Sequence, residues 1–160
     1  MIKTFRAQHN PDLLKQVQIA IVVAEFNHEI TEKLLSGALK RLAEAHIPLA
    51  HIQVVWVPGA IEIPLVVKLL AEQQSAHAII ALGAVIRGDT SHYDYVCNQV
   101  SEGCQQVMMA YDLPVIFGVL TTEDEDQALA RVGGEHGHKG RDAAEAALAM
   151  LSLLKQLADE

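Results

Sequence analysis

At 160 residues, 51% of them apolar and 20% charged, the chain is long enough to bury the core of one ordinary domain and too apolar to read as disordered. A formal charge of −8, from 12 Lys and Arg against 20 Asp and Glu, excludes the basic footprint that a row of nucleic-acid phosphates demands. It leaves open small anionic ligands, which a local cluster of a few cations can hold on an acidic chain.

The first sixteen residues, MIKTFRAQHNPDLLKQ, contain Pro11 and show no period beyond the fragment Ile2–Phe5, so residues 1–16 read as an N-terminal arm or a strand lent to a neighbour. They lack the apolar run of a signal peptide, and no stretch of about 18 uncharged apolar residues follows, so neither secretion nor a membrane is expected. From residue 17 onward, short runs rich in Val and Ile alternate with segments of helical period, the pattern of βαβ units around a parallel sheet buried on both faces. Strands are expected at Val17–Ala24, His51–Val57, Ala78–Val85 and Val115–Leu120. Helices are expected at Thr31–His46, Ile61–Gln74, His92–Tyr111, Asp124–Val132 and Gly140–Ala158, the last two parted by the glycine-punctuated turn GGEHGHKG. The fold class is α/β, with residues 17–160 as one domain around a four-stranded parallel sheet. Cys97 and Cys104, seven apart on one face of the third helix, suit buried free thiols better than a CxxC motif or a disulfide, which points to a reducing, cytoplasmic setting.

In an open parallel sheet, ligands bind outside the carboxyl ends of the strands, where the strand-to-helix loops converge. Three such loops are unusual in this chain. After the first strand, Phe26 and Asn27 stand in a polar setting; with only 4% aromatic residues in the chain, Phe26 is either a strand-end core residue or a ring face for a planar heterocycle. After the second comes Pro58-Gly59-Ala60-Ile61-Glu62, in which Glu62 is either a first-turn helix carboxylate or a hydrogen-bond partner for a polyol or amine. After the third comes Gly88-Asp89-Thr90-Ser91-His92, whose hydroxyls and backbone N–H groups suit either an ordinary N-cap or a phosphate. His92, in the first turn of that helix, is either an ordinary surface or hydrogen-bonded core histidine or a group that accepts and returns protons. GGEHGHKG is not a P-loop: His138 precedes Lys139 where a glycine is needed, Gly140 follows where Ser or Thr is needed, and no strand runs directly into it. His136 and His138, with one residue between them and no Cys or carboxylate pattern nearby, do not make a metal site.

FN followed by a helix, then WVPGAIEIP, ALGAVIRGDTSHYDYV, PVIFGVLTTED and QALARVGGEHGHKGRDAAEAALAML, resemble successive blocks of the lumazine synthase family, in order and similarly spaced. The resemblance runs from about Val17 to Leu154. It implies a flavodoxin-like three-layer sandwich and the condensation of 5-amino-6-(D-ribitylamino)uracil with 3,4-dihydroxy-2-butanone 4-phosphate to 6,7-dimethyl-8-ribityllumazine, without metal or organic cofactor. It also implies pentamers with active sites between adjacent subunits, and in some members a sixty-subunit shell, which the uninserted GGEHGHKG turn permits. Carried over by position, Phe26, with Asn27 beside it, would stack on the pyrimidine, and Gly59, Ala60, Ile61 and Glu62 would hold the ribityl chain. Val85 and Ile86 would line the ring pocket, Asp89 and Thr90 with Arg131 would bind phosphate, and His92 would move protons. Phe117, Arg131 and Lys139 would come from the neighbouring subunit. Where many members read GTKAGNKG, this chain reads GGEHGHKG, so Glu135 and His138 replace a lysine and an asparagine. Two other readings compete: a flavin or lumazine carrier on the same scaffold, disfavoured by retained His92, Arg131 and Lys139, and a phosphate-binding signalling domain, disfavoured by the lack of clustered acidic residues at a strand end.

Overall fold

The computed structural model describes residues 1–160. Four parallel strands form the central sheet: β1 (Ile19–Ala24), β2 (Ile52–Val57), β3 (Ala78–Ile86) and β4 (Val115–Thr122), in the order β2-β1-β3-β4. Ile19 lies opposite Ile52 on one side and Ala78 on the other, and Ile79 lies opposite Val115. Every residue of β1 is buried, which is why its sequence, IAIVVA, carries no polar alternation: a central parallel strand has no wet face. The edge strand β2, IQVVWV, is only partly covered and admits Gln53.

Helices flank both faces. Ile19, Ile21 and Val23 of β1, with Ile80, Leu82 and Ala84 of β3, pack under α1 (His28–Glu44) and the final helix, Lys139–Ala158. Ala20, Val22 and Ala24, with Ile79, Ala81 and Val85, pack under α2 (Ile63–Glu72) and α3 (His92–Tyr111). The period-2 alternation of each strand thus serves two separate aliphatic cores in a three-layer α/β sandwich consistent with the flavodoxin-like class. On the first face Leu34, Ala38 and Leu42 of α1, at four-residue steps, are fully buried.

Three local differences from the sequence expectation have identifiable causes. β1 begins at Ile19 because Val17 closes a turn, donating its N–H to the Leu14 carbonyl, while the Gln18 N–H is taken by Nδ1 of His77. The fourth helix, α4 (Glu125–Leu129), is shorter than its period suggested, and the chain folds instead into a small antiparallel ladder, β5 (Val132–Gly134) with β6 (Gly137–His138). Gly133 and Gly137 supply the positive φ angles, 102° and 78°, that this reversal needs. GGEHGHKG is therefore a hairpin, and His138 ends it by capping α5 (Lys139–Ala158), its Nδ1 accepting from the Arg141 N–H at 3.3 Å.

Glycines set the approach of α5 to α1. A Cβ on Gly140 would strike the backbone carbonyl of Leu34, and one on Gly37 would strike the His138 ring. The N-terminal residues lie across the far end of this pair: the Asn10 N–H donates to Ser152 Oγ at 3.0 Å, and Lys3 meets Glu160 at 2.6 Å. A 3-10 turn at Pro11–Leu13, capped by Asn10, leads from there toward the sheet. No helix is long and apolar enough to cross a membrane.

Candidate active site

The strand order reverses direction between β1 and β3, and the loops leaving their carboxyl ends diverge around a crevice. Parallel pairing continues past β1 and β2, with Glu25 N–H donating to the Val57 carbonyl at 2.7 Å and Phe26 N–H to that of Pro58 at 3.0 Å. This brings the ring of Phe26 beside the Gly59–Glu62 turn although more than thirty positions separate them in sequence. Phe26 is 71% exposed, so it presents its ring to solvent and is not a strand-end core residue.

The result is a cavity of about 380 Å³, a size suited to a small heterocyclic ligand. Phe26, Gly59, Ala60, Ile61 and Glu62 line it from the first two loops, Val85 and Ile86 from the end of β3, and Thr90 and His92 from the start of α3. Nine of the fourteen residues selected from sequence therefore share one concavity. Thr90 Oγ1 accepts the His92 N–H at 3.3 Å, so the hydroxyl, one residue before the Ser91 cap, ties the loop to the start of the helix that carries His92.

Phe117, Arg131 and Lys139 line a second cavity, of about 470 Å³, along the edge strand β4 and the start of α5. The β5–β6 hairpin makes neighbours of the two cations, because the Lys139 N–H donates to the Arg131 carbonyl at 2.8 Å. Arg131 Nη1 donates to the Gln127 carbonyl at 2.8 Å, which orients the guanidinium, and Lys139 Nζ stands 3.9 Å from Asp142. Phe117 is 43% exposed, an aromatic ring partly open to solvent on an edge strand.

Asn27 and Asp89 line neither cavity. Asn27 adopts the left-handed conformation with φ of 60° and donates Nδ2 to the Ala84 carbonyl at 2.8 Å, bracing the β1–α1 turn against β3. Asp89 is exposed, as is Glu135 at the tip of the hairpin; neither carboxylate intrudes on the cavity walls. Sequence reading passed over Tyr93 and Val96, which line the first cavity beside His92. Val96 stands four residues after His92 and so shares its helix face, a signal available from the spacing. Tyr93 is half-buried, and burial raises the pKa of its phenol, keeping it neutral. No group of three or more His, Cys, Asp or Glu side chains is arranged to hold a metal ion.

A family profile described as 6,7-dimethyl-8-ribityllumazine synthase matches residues 16–155. The chain is also 56% identical, over 140 residues that make up 88% of its length and 93% of theirs, to the 6,7-dimethyl-8-ribityllumazine synthases of the Dugway 5J108-111, CbuG_Q212 and RSA 493 Nine Mile phase I strains of Coxiella burnetii. The chain belongs to the 6,7-dimethyl-8-ribityllumazine synthase family, transferases that form the lumazine ring in riboflavin biosynthesis.

Proposed function

We propose that the two cavities are the halves of one composite active site, completed when the β4 edge of one copy abuts the β1–β3 crevice of the next. The observation that carries this reading is the division itself: a ring-and-polyol pocket with a histidine on one side of the chain, and an aromatic with two cations on the other. The first half has no cation and the second has no histidine. The exposed apolar stripe Ile61, Leu65 and Leu69, at four-residue steps along the rim of the first cavity and α2, is a surface suited to burial against another copy. Closed assembly into a pentamer, and in turn a shell, follows when that contact is head-to-tail and its rotation closes.

In the condensation of 5-amino-6-(D-ribitylamino)uracil with 3,4-dihydroxy-2-butanone 4-phosphate, Phe26 stacks on the pyrimidine while the backbone around Val85 and Ile86 borders it. Glu62 and the turn before it hold the ribityl hydroxyls. The Gly88–Ser91 loop, at the amino end of α3, takes the phosphate together with the neighbour's Arg131 and Lys139. The amine attacks the ketone to give an imine with loss of water. Phosphate then leaves by elimination, and the ribityl-bearing nitrogen closes the ring with loss of a second water. His92 accepts and returns protons in these steps. An amine and a ketone condense unaided, so most of the acceleration arises from holding both substrates in one orientation, with His92 adding about 10- to 1000-fold.

Subunit mixing tests this reading. His92→Ala slows turnover, and Arg131→Ala weakens use of the phosphate substrate. Unfolding and co-refolding the two variants at equal ratio should place an intact crevice against an intact β4 edge at about a quarter of interfaces and so raise the rate above that of either parent. A mixture no faster than the mean of its parents would mean that each chain builds its site alone.

A further inference from the structure

Two carboxylates gather at the side chain of the residue that precedes the Gly88–Ser91 loop. Glu123 follows β4 and Asp94 lies in the first turn of α3, both more than half exposed, and both would repel a dianionic phosphate held by the loop. One side chain engages both. Arg87, the residue just before Gly88, donates Nε to Glu123 Oε2 at 2.6 Å and Nη2 to Asp94 Oδ1 at 3.4 Å, while its Cζ sits 4.3 Å from the centre of the Tyr93 ring. Its backbone N–H donates to the Thr122 carbonyl at 2.9 Å, extending the β3–β4 pairing one residue beyond the strand. Glu123 is itself fixed, its N–H donating to Gln127 Oε1 at 2.8 Å.

The geometry points to Arg87 as a positioning residue for the phosphate substrate: it neutralises Glu123 and Asp94 and ties the end of β4, the loop and the first turn of α3 into one rigid anion-receiving edge. This rests on the reading of the Gly88–Ser91 loop as the phosphate-binding element. Arg87 does not line the cavity, so it acts through the loop and its neighbours rather than on the substrate. A planar fork suits the task better than an ammonium, because one guanidinium bonds two carboxylates while lying on an aromatic face.

The test is steady-state kinetics of Arg87→Gln with the two substrates varied separately. Removing the cation leaves two uncompensated carboxylates near the loop, so KM for 3,4-dihydroxy-2-butanone 4-phosphate should rise about tenfold at low salt, less at high salt, with KM for the pyrimidine changing less than about twofold. Adding Glu123→Gln and Asp94→Asn to Arg87→Gln should bring the phosphate-substrate KM back toward wild type, and Arg87→Lys should fall between. A purely structural role predicts equal damage to both KM values, no salt dependence and no recovery in the triple variant, and would overturn the proposal. Arg131→Ala is run alongside. If it raises the phosphate-substrate KM while Arg87→Gln does not, the Arg87 assignment fails alone; if neither does, the phosphate assignment fails and takes the Arg87 proposal with it.

Discussion

Cys104 shows how one buried group sets a chemical property that its residue type does not. It projects from α3 into the core on the α2–α3 face of the sheet, and burial raises its pKa from the ordinary 9.0 to about 11. At pH 8 the thiolate is therefore about a thousandth of the population, and the group is inert. Cys97, half-buried one helical face-repeat earlier, is also raised, mainly by burial. Iodoacetamide at pH 8 should modify the folded protein slowly, at Cys97 before Cys104, and both residues rapidly after denaturation; peptide mapping that finds Cys104 alkylated first would contradict this. The sign for stability follows from the same shift. The unfolded chain releases its Cys104 proton near pH 9 and the folded chain only near 11, so this contribution is intact below pH 9 and lost as pH rises through that window. The amino-acid sequence pointed to free thiols by spacing, but which was more deeply buried depended on the turn of α3 against the sheet.

Among the elements, the crossing of α1 and α5 is decided by glycine. A glycine inside a helix is normally about 1 kcal/mol less favourable than alanine, so replacing one ordinarily stabilises. Gly140 should do the reverse, because the added methyl would occupy the space of the Leu34 carbonyl, a backbone atom that cannot swing aside. Gly140→Ala is expected to destabilise by about 2 kcal/mol or more, read as a lower urea midpoint, whereas Gly88→Ala, with nothing within 4 Å of the new methyl, should leave the midpoint nearly unchanged. An unchanged midpoint for Gly140→Ala would mean that the two helices part easily. Most elements were legible beforehand because buried strands and amphipathic helices differ in period. The GGEHGHKG segment was not, since its glycines mark a reversal without saying whether the flanking residues continue as helix or pair with one another. Pairing wins here because the Lys139 N–H and Arg131 carbonyl satisfy each other across it.

At the scale of the whole molecule, the outward stripe of α2 has no counterpart within the chain. Leu65 is 63% exposed between Ile61 and Leu69, an uncommon place for three aliphatic side chains in a row on an isolated surface. Leu65→Lys should lower the assembled fraction in light scattering and lower activity in parallel, with the far-ultraviolet circular dichroism of the helices retained. Full activity in a dispersed variant would sever catalysis from assembly and remove the reason for a divided site.

What the sequence determined by itself was local and periodic: the βαβ alternation, the aliphatic character of two cores, the loops with unusual residues, and the ordered blocks that resemble one enzyme family. Those features follow from side-chain chemistry and spacing, which are written along the chain. Only the tertiary structure decided which of those residues meet. Phe26 reached the Gly59–Glu62 turn through β1–β2 pairing, Arg131 reached Lys139 through the hairpin, and Arg87 reached Glu123 and Asp94 because β3 and β4 end side by side. Asn27, read from sequence as a ligand contact, donates its amide to the Ala84 carbonyl from a left-handed backbone, a tie that no spacing along the chain announces. Proximity across a parallel sheet depends on register and strand order, and neither is encoded in any single segment.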